Sequence, residues 1–284
     1  MTEGLCRLAG TLAAFLALPA YAGFVSVSWP SGTEQVHYPL IAEESGPGFA
    51  GLANLSTGRF AAMSYVDSGN FHAYAAFSLV QIRWVPDDGT STFTINPGDI
   101  SARVAGTLSV PLPPPMSVDG NTGMATAVLS LEGGSVPGTA TFAKTLVTSG
   151  AGSSTSASYP STSGGAQISV AVDTATALDV TLLMPGLTLG PNQVFRLYGS
   201  IQTNVTSNGG LVTVDFDDAG YQLTWLLPAT LGGTLIDLNT GEPLDVEWAS
   251  PVPLPAASLF MLTGLALAGA GIRRRRPGPR ALDQ

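Results

Sequence analysis

Polar and apolar residues alternate with a period of two along most of this chain. Residues 24–29, 60–66, 71–85, 100–110 and 124–131 alternate, and so do 139–147, 167–172, 178–184, 193–203, 211–216 and 221–227. That period puts successive side chains on opposite faces of an extended strand. Turn-forming residues separate the runs: Ser31 with Gly32, Asp67 to Asn70, Asp87 to Gly89, Asn96 to Gly98, Asp119 with Gly120, Gly133 with Gly134, Ser207 to Gly210, and Gly232 with Gly233. Short alternating runs between such punctuation predict an all-β fold, an antiparallel β-sandwich or jelly-roll-like body. No helical period of 12 or more residues occurs within the body. Trp84 falls inside the long run 71–85, and Tyr221, Leu223 and Trp225 share one face at spacing two, so these four are predicted core residues.

Two stretches interrupt the alternation. Val110, Pro111, Leu112, Pro113, Pro114 and Pro115 form a short polyproline segment, expected to be a rigid crossing between sheets. Residues 149–166 are rich in Ser, Thr and Gly. That composition reads as a long surface loop inside one domain spanning 23–250, because either half of the body alone supplies too few strands. A linker between two domains is the alternative. The hydroxyls of this tract are also open to O-glycosylation. No internal repeat of 20 to 50 residues is found.

The two ends follow a different pattern. An apolar run at 8–18 leads to Ala20, Tyr21 and Ala22, a small-x-small cleavage site, so residues 1–22 read as a signal peptide cut between Ala22 and Gly23. At the other end stand Val252, Pro253, Leu254, Pro255 and Ala256, then an apolar run, then Arg273, Arg274, Arg275 and Arg276, and finally the tail 277–284. From Ala256 to Ile272 the chain carries 17 uncharged residues. As a helix these span roughly 26 Å, slightly short of the ~30 Å hydrocarbon core. Counting from Val252 gives 21 residues, with Pro253 and Pro255 at the helix start, and the transmembrane segment is placed at 254–272. Leu259, Phe260, Leu262, Leu265, Leu267 and Ile272 together favour insertion by only about 2 to 4 kcal/mol, and Gly264, Gly269 and Gly271 offset part of that. The arginines then act as the membrane stop. By the positive-inside rule they stay cytoplasmic, with the body on the far side.

The order of these three parts at 251–276 resembles the PEP-CTERM sorting signals, in the variant whose motif reads VPLPA. The resemblance implies a substrate of an exosortase, a membrane-embedded processing enzyme that removes the apolar segment. It also implies a role at the cell surface or in the extracellular matrix, associated with exopolysaccharide, with no defined reaction. The resemblance covers about a tenth of the chain, and the tail runs a little further past the arginines than the pattern requires.

Charge and chemistry sharpen this picture. Once the ends are set aside, five basic residues (Arg59, Arg83, Arg103, Lys144 and Arg196) face 18 acidic ones, a net charge of −13. Such a body does not bind nucleic acid through phosphate neutralisation. Cys6 lies before the cleavage site, so the mature chain has no cysteine and no disulfide or thiolate site. His37 and His72 sit in alternating strands among aromatics, and no G-x-S-x-G, H-E-x-x-H, phosphate-loop or dinucleotide motif occurs. The sequence therefore predicts no catalysis and no obligatory cofactor. The densest acidic group is Asp215, Asp217 and Asp218, expected at a hydrated turn between two strands. Its hard oxygens make it the candidate calcium site, with Asp87, Asp88 and Asp99 a weaker group. Two alternatives to a structural surface protein follow: a carbohydrate- or calcium-binding module, which needs a solvated aromatic row or a metal site, and a jelly-roll hydrolase, which needs two facing carboxylates.

Overall fold

A computed structural model describes residues 24–29, 32–36, 41–55, 57–110, 120–133, 137–149, 153–227, 231–238, 241–244 and 249–251. Among these, every regular element is a strand. In chain order they are β1 (Phe24–Trp29), β2 (Gly32–Val36), β3 (Ile41–Gly46), β4 (Phe49–Asn54), β5 (Arg59–Val66), β6 (Gly69–Pro86), β7 (Phe93–Ile95), β8 (Ile100–Ser109) and β9 (Thr122–Gly133), followed by β10 (Gly138–Ser149), β11 (Ser153–Ser163), β12 (Gln167–Asp173), β13 (Ala177–Leu183), β14 (Leu187–Leu189), β15 (Val194–Ser207), β16 (Val212–Leu227), β17 (Gly233–Asp237) and β18 (Ala249–Pro251).

The strands form two eight-stranded sheets and a two-stranded clasp. Sheet I runs β11-β10-β9-β15-β6-β1-β2, with β17 on the β1 side of β6. Sheet II runs β12-β13-β8-β16-β5-β4-β3, with β18 beside β16. All pairings are antiparallel except that of β16 with β18. Two long stretches of chain run beside each other throughout. The sequence β5-β6-β7-β8 pairs with β16-β15-β14-β13, strand for strand and in opposite directions. This double ribbon starts in sheet II, crosses to sheet I, passes through the β7/β14 clasp and returns to sheet II.

The core lies between the sheets. Phe60 and Tyr221 of sheet II meet Phe77 of sheet I, with the rings of Phe60 and Phe77 stacked at 4.7 Å. Trp225 of sheet II meets Phe195 of sheet I edge-on at 5.6 Å, and Trp84 stacks on Phe93 of the clasp at 5.0 Å. Offset and edge-on arrangements of this kind satisfy the ring quadrupoles as well as burying area. The core position opposite Phe77 on β15 is Gly199, where an added Cβ would lie 2.3 Å from the Phe77 ring and 2.4 Å from the Tyr221 hydroxyl. Only glycine leaves room for the aromatic cluster there. As the spacing predicted, Trp84, Tyr221, Leu223 and Trp225 are fully buried.

The Ser/Thr/Gly tract departs from the expected loop. Residues 153–163 form β11, an edge strand paired with β10 along its whole length, and Gly164 and Gly165 make the turn into β12. Nine of its residues are exposed, so the tract has no apolar face to give a period-two signal. It is held by backbone pairing, which composition does not reveal. The tract does not separate two domains either. Strands from before and after it alternate within both sheets. The polyproline segment belongs to the connection from β8 in sheet II to β9 in sheet I, and residues 111–119 of it lie outside the described residues. The signal peptide 1–22, Gly23 and everything from 252 onward, including the sorting motif and the arginine stop, also lie outside them.

Candidate functional site

The acidic group sits on an excursion of one continuous strand, where a turn between two strands was expected. Pairing of β16 with β5 runs normally to Phe216 opposite Ala62 and resumes with Tyr221 opposite Phe60. Five steps along β16 thus match two along β5, which leaves three extra residues in the bulge. An odd excess inverts which side of the strand faces the core. Val212, Val214 and Phe216 point inward before the bulge, and Tyr221, Leu223 and Trp225 point inward after it. This phase change explains why the alternation looked like two strands. Gly220 closes the bulge with φ +39, and a Cβ there would lie 2.5 Å from the Phe60 carbonyl oxygen.

The bulge uses its own acids internally. Asp215 Oδ1 accepts a 2.9 Å hydrogen bond from the Asp217 N–H, and the Arg59 guanidinium donates to the Asp217 carbonyl at 2.8 Å. Asp215 and Asp217 flank the inward Phe216 and share the outer side, as their spacing predicted. The backbone of Asp218 continues the strand, while its side chain is outside the description. Calcium prefers six to eight oxygens. Among the described residues no group of three His, Cys, Asp or Glu side chains is placed to hold one ion. The weaker acidic group is not assembled either. Asp88 accepts two 2.8 Å bonds from the Thr90 and Ser91 N–H groups and a third from the Ser91 hydroxyl, which together pull its carboxyl down to about 2. Asp99 Oδ2 caps its own turn through the Asn96 N–H and amide, at 2.8 and 2.9 Å.

A second constellation was not foreseen. Lys144, the only lysine of the chain, is 1% exposed on the core side of β10. Its ammonium pairs with Asp173 at the end of β12, and so ties sheet I to sheet II. Ser158 of β11 donates to the same Asp173 oxygen at 2.9 Å. Burial raises the Asp173 carboxyl, but the hydrogen bonds from Lys144 and Ser158 and the ammonium charge outweigh it, and the net shift is downward. The sequence did carry a signal. Ala140, Phe142, Lys144 and Leu146 fall at spacing two, which puts the lysine on the apolar face. Asp179 is likewise held low, first by its bonds from Arg103 at 3.0 and 2.7 Å, but this pair lies on the outer face of sheet II and is largely solvated.

The remaining candidates do not assemble a reactive centre. His72 is half-buried opposite Asn204, and burial lowers its pKa. His37 is outside the described residues. Tyr74 and Tyr198 share a 2.8 Å hydroxyl contact, and burial first, then Tyr198, raises the Tyr74 phenol well above its ordinary value. Trp84 and Trp225 are core residues, Trp29 stacks on Phe49 at 5.8 Å, and Trp248 is outside the description. Among the described residues no row of solvated aromatics offers a sugar platform. No helix among them is long and apolar enough to cross a membrane. No protein-family model matches the chain, and comparison with curated proteins and with solved structures returned no significant match.

Proposed function

We propose that this is an exported cell-envelope protein whose jelly-roll-like β body is delivered to the cell surface and released from a transient membrane anchor by an exosortase-type enzyme. The observation that carries the reading is the ordered C-terminal sequence: Val252, Pro253, Leu254, Pro255 and Ala256, then the apolar run, then Arg273 to Arg276. The export signal ending at Ala22 agrees with it, since both ends then give one topology with only the C-terminal tail in the cytoplasm. The anchor is glycine-rich and slightly short, which suits a segment that pauses in the membrane and is then removed. The body fits an extracellular role. It is acidic, cysteine-free after signal cleavage, and built from Ser-, Thr- and Val-rich strands wound as a double ribbon. Its role there is structural, in contact with exopolysaccharide, without catalysis. The test is the intact mass of the protein recovered from its own envelope or medium. A chain that begins at Gly23 and ends between 252 and 257 is the expected result. Recovery of a chain that ends at Gln284 overturns the processing step.

A further inference from the structure

The two lateral ends of the sandwich are built differently. One end is closed by β2 and β3, which carry Glu34, Glu43 and Glu44. Charged residues on edge strands are the usual guard against pairing with another chain. The other end is closed by β11 and β12, with 11 and 7 residues. Between them these strands carry one charge, Asp173, and that charge is neutralised from within by the only lysine of the chain. β11 retains one guard, Pro160, which has no N–H to offer. β12 has no proline and no glycine, reads Gln167, Ile168, Ser169, Val170, Ala171, Val172, Asp173, and leaves Val170 51% and Val172 38% exposed. A seven-residue segment of high β propensity, low charge and no proline on a sheet edge is a template for strand addition.

Register shows what the strand lacks. Among the described residues β12 pairs with β13 on one side only, and Ile168 and Val170 stand opposite the buried Leu182 and Val180, on the core side of the sheet. Val170 occupies a core-side position but has half its surface in water. The ladder shifts register between Val170 and Val172, a bulge that leaves Ala171 without an opposite residue on β13.

We infer that β12 pairs with β12 of a second copy of this chain, antiparallel across a twofold axis, so that sheet II continues through the dimer and the two Val170 side chains are buried. Charge selects this partner and this symmetry. The body carries a net charge of −13, and the uncharged end is where two copies meet without repulsion. The opposite ends would bring Glu34, Glu43 and Glu44 against their own copies, so growth stops at two. The Lys144–Asp173 pair also acquires a role, because it removes from this edge the one charge that would oppose the contact.

The test uses the full chain with Cys6→Ser, solubilised in detergent, with single cysteines placed in turn at Ser169, Val170, Ala171 and Val172. Opposed residues of an antiparallel pair lie about 4.5 to 5.5 Å apart at Cα, within disulfide range. At least one of these variants is expected to oxidise to a covalent dimer of twice the 29.0 kDa chain, while Glu43→Cys on β3 stays monomeric. Sedimentation of the parent is expected to show a concentration-dependent dimer that Val170→Lys weakens by about tenfold or more, since it sets two like charges across the axis. Circular dichroism and thermal melting show whether V170K stays folded, and Val172→Lys serves if it does not. A monomeric parent throughout the micromolar range, a dimer untouched by both lysines, or cross-linking equal at Glu43→Cys overturns the inference.

Discussion

Replacing Asp173 with asparagine strands the buried ammonium of Lys144. Lys144 is 1% exposed, and Asp173 is 29% exposed. Breaking a fully buried pair from one side costs about 3–5 kcal/mol, because an uncompensated charge remains. Here the acidic end reaches solvent, so water can take over part of its role, and Asp173→Asn is expected to cost about 2–3 kcal/mol at pH 7. Lys144→Met removes the charge and keeps the apolar stem, leaving a carboxylate that Ser158 and water still bond. It is expected to stay within about 1 kcal/mol of the parent. Thermal melts at pH 7 decide the matter. A body of this size moves about 2–4 °C per kcal/mol, so the asparagine variant melts about 4–12 °C lower at pH 7. An asparagine variant that melts with the parent, or a methionine variant less stable than the asparagine one, refutes the account.

Three further outcomes follow from the geometry. Tyr221→Phe removes the 3.0 Å bond from the buried hydroxyl to the Val128 carbonyl and is expected to cost about 1–2 kcal/mol by urea denaturation, without a change in m-value. Gly220→Ala forces a methyl to 2.5 Å from the Phe60 oxygen at a positive φ, for about 1–3 kcal/mol in the same assay, whereas Gly89→Ala, with open space around it, costs less. In acid, Asp173 and Asp179 are held below the ordinary carboxyl value of 3.8, so their stabilisation is complete above that value and is lost as pH falls through their folded values. His72, lowered by burial from 6.5, acts in the same direction from a higher pH, so a plot of Tm against pH should decline gently below 6.5 and more steeply below 3.8.

Long strands with one face on the core were legible in the sequence, as was the exposed β12, whereas most short strands and the exposed β11 were not. β8, β13 and β15 carry clean alternation because each sits with one side on the core and the other in water or beside polar neighbours. β11 has no buried side, and the three-residue β7 and β14 are too short to show a period. β7 and β14 depend on each other from far apart in sequence, and β11 depends on backbone pairing with the neighbouring β10, and no side-chain period encodes either. The bulge misled for a related reason. Alternation on each side of it was read correctly, but the odd insertion that joins the two runs mimics a turn, since Asp217, Asp218 and Gly220 favour turns as well as bulges. Lys144 was hidden by an assumption about residue type, because its place in the alternation was plain while lysine is almost never fully buried unless it is paired.

Apolar contacts between two sheets are non-directional, and packing alone lets one sheet slide or rotate over the other at modest cost. Polar contacts across the same gap do not allow this. Ser64 of β5 and Thr203 of β15, both fully buried, share a 2.7 Å hydroxyl contact between sheet II and sheet I. The Tyr221 hydroxyl reaches from β16 to the β9 carbonyl of Val128, and Lys144 reaches from β10 to Asp173 on β12. Each leaves a desolvated donor or acceptor worth about 1–3 kcal/mol if the sheets shift by a single residue. These three pins lie on different strand pairs, so no one displacement satisfies all of them except the native one. In a chain with a single cysteine they supply the specificity that covalent staples would otherwise give, and the ribbon of β5 to β8 against β13 to β16 carries the Ser64–Thr203 pin whole and one end of the Tyr221–Val128 pin.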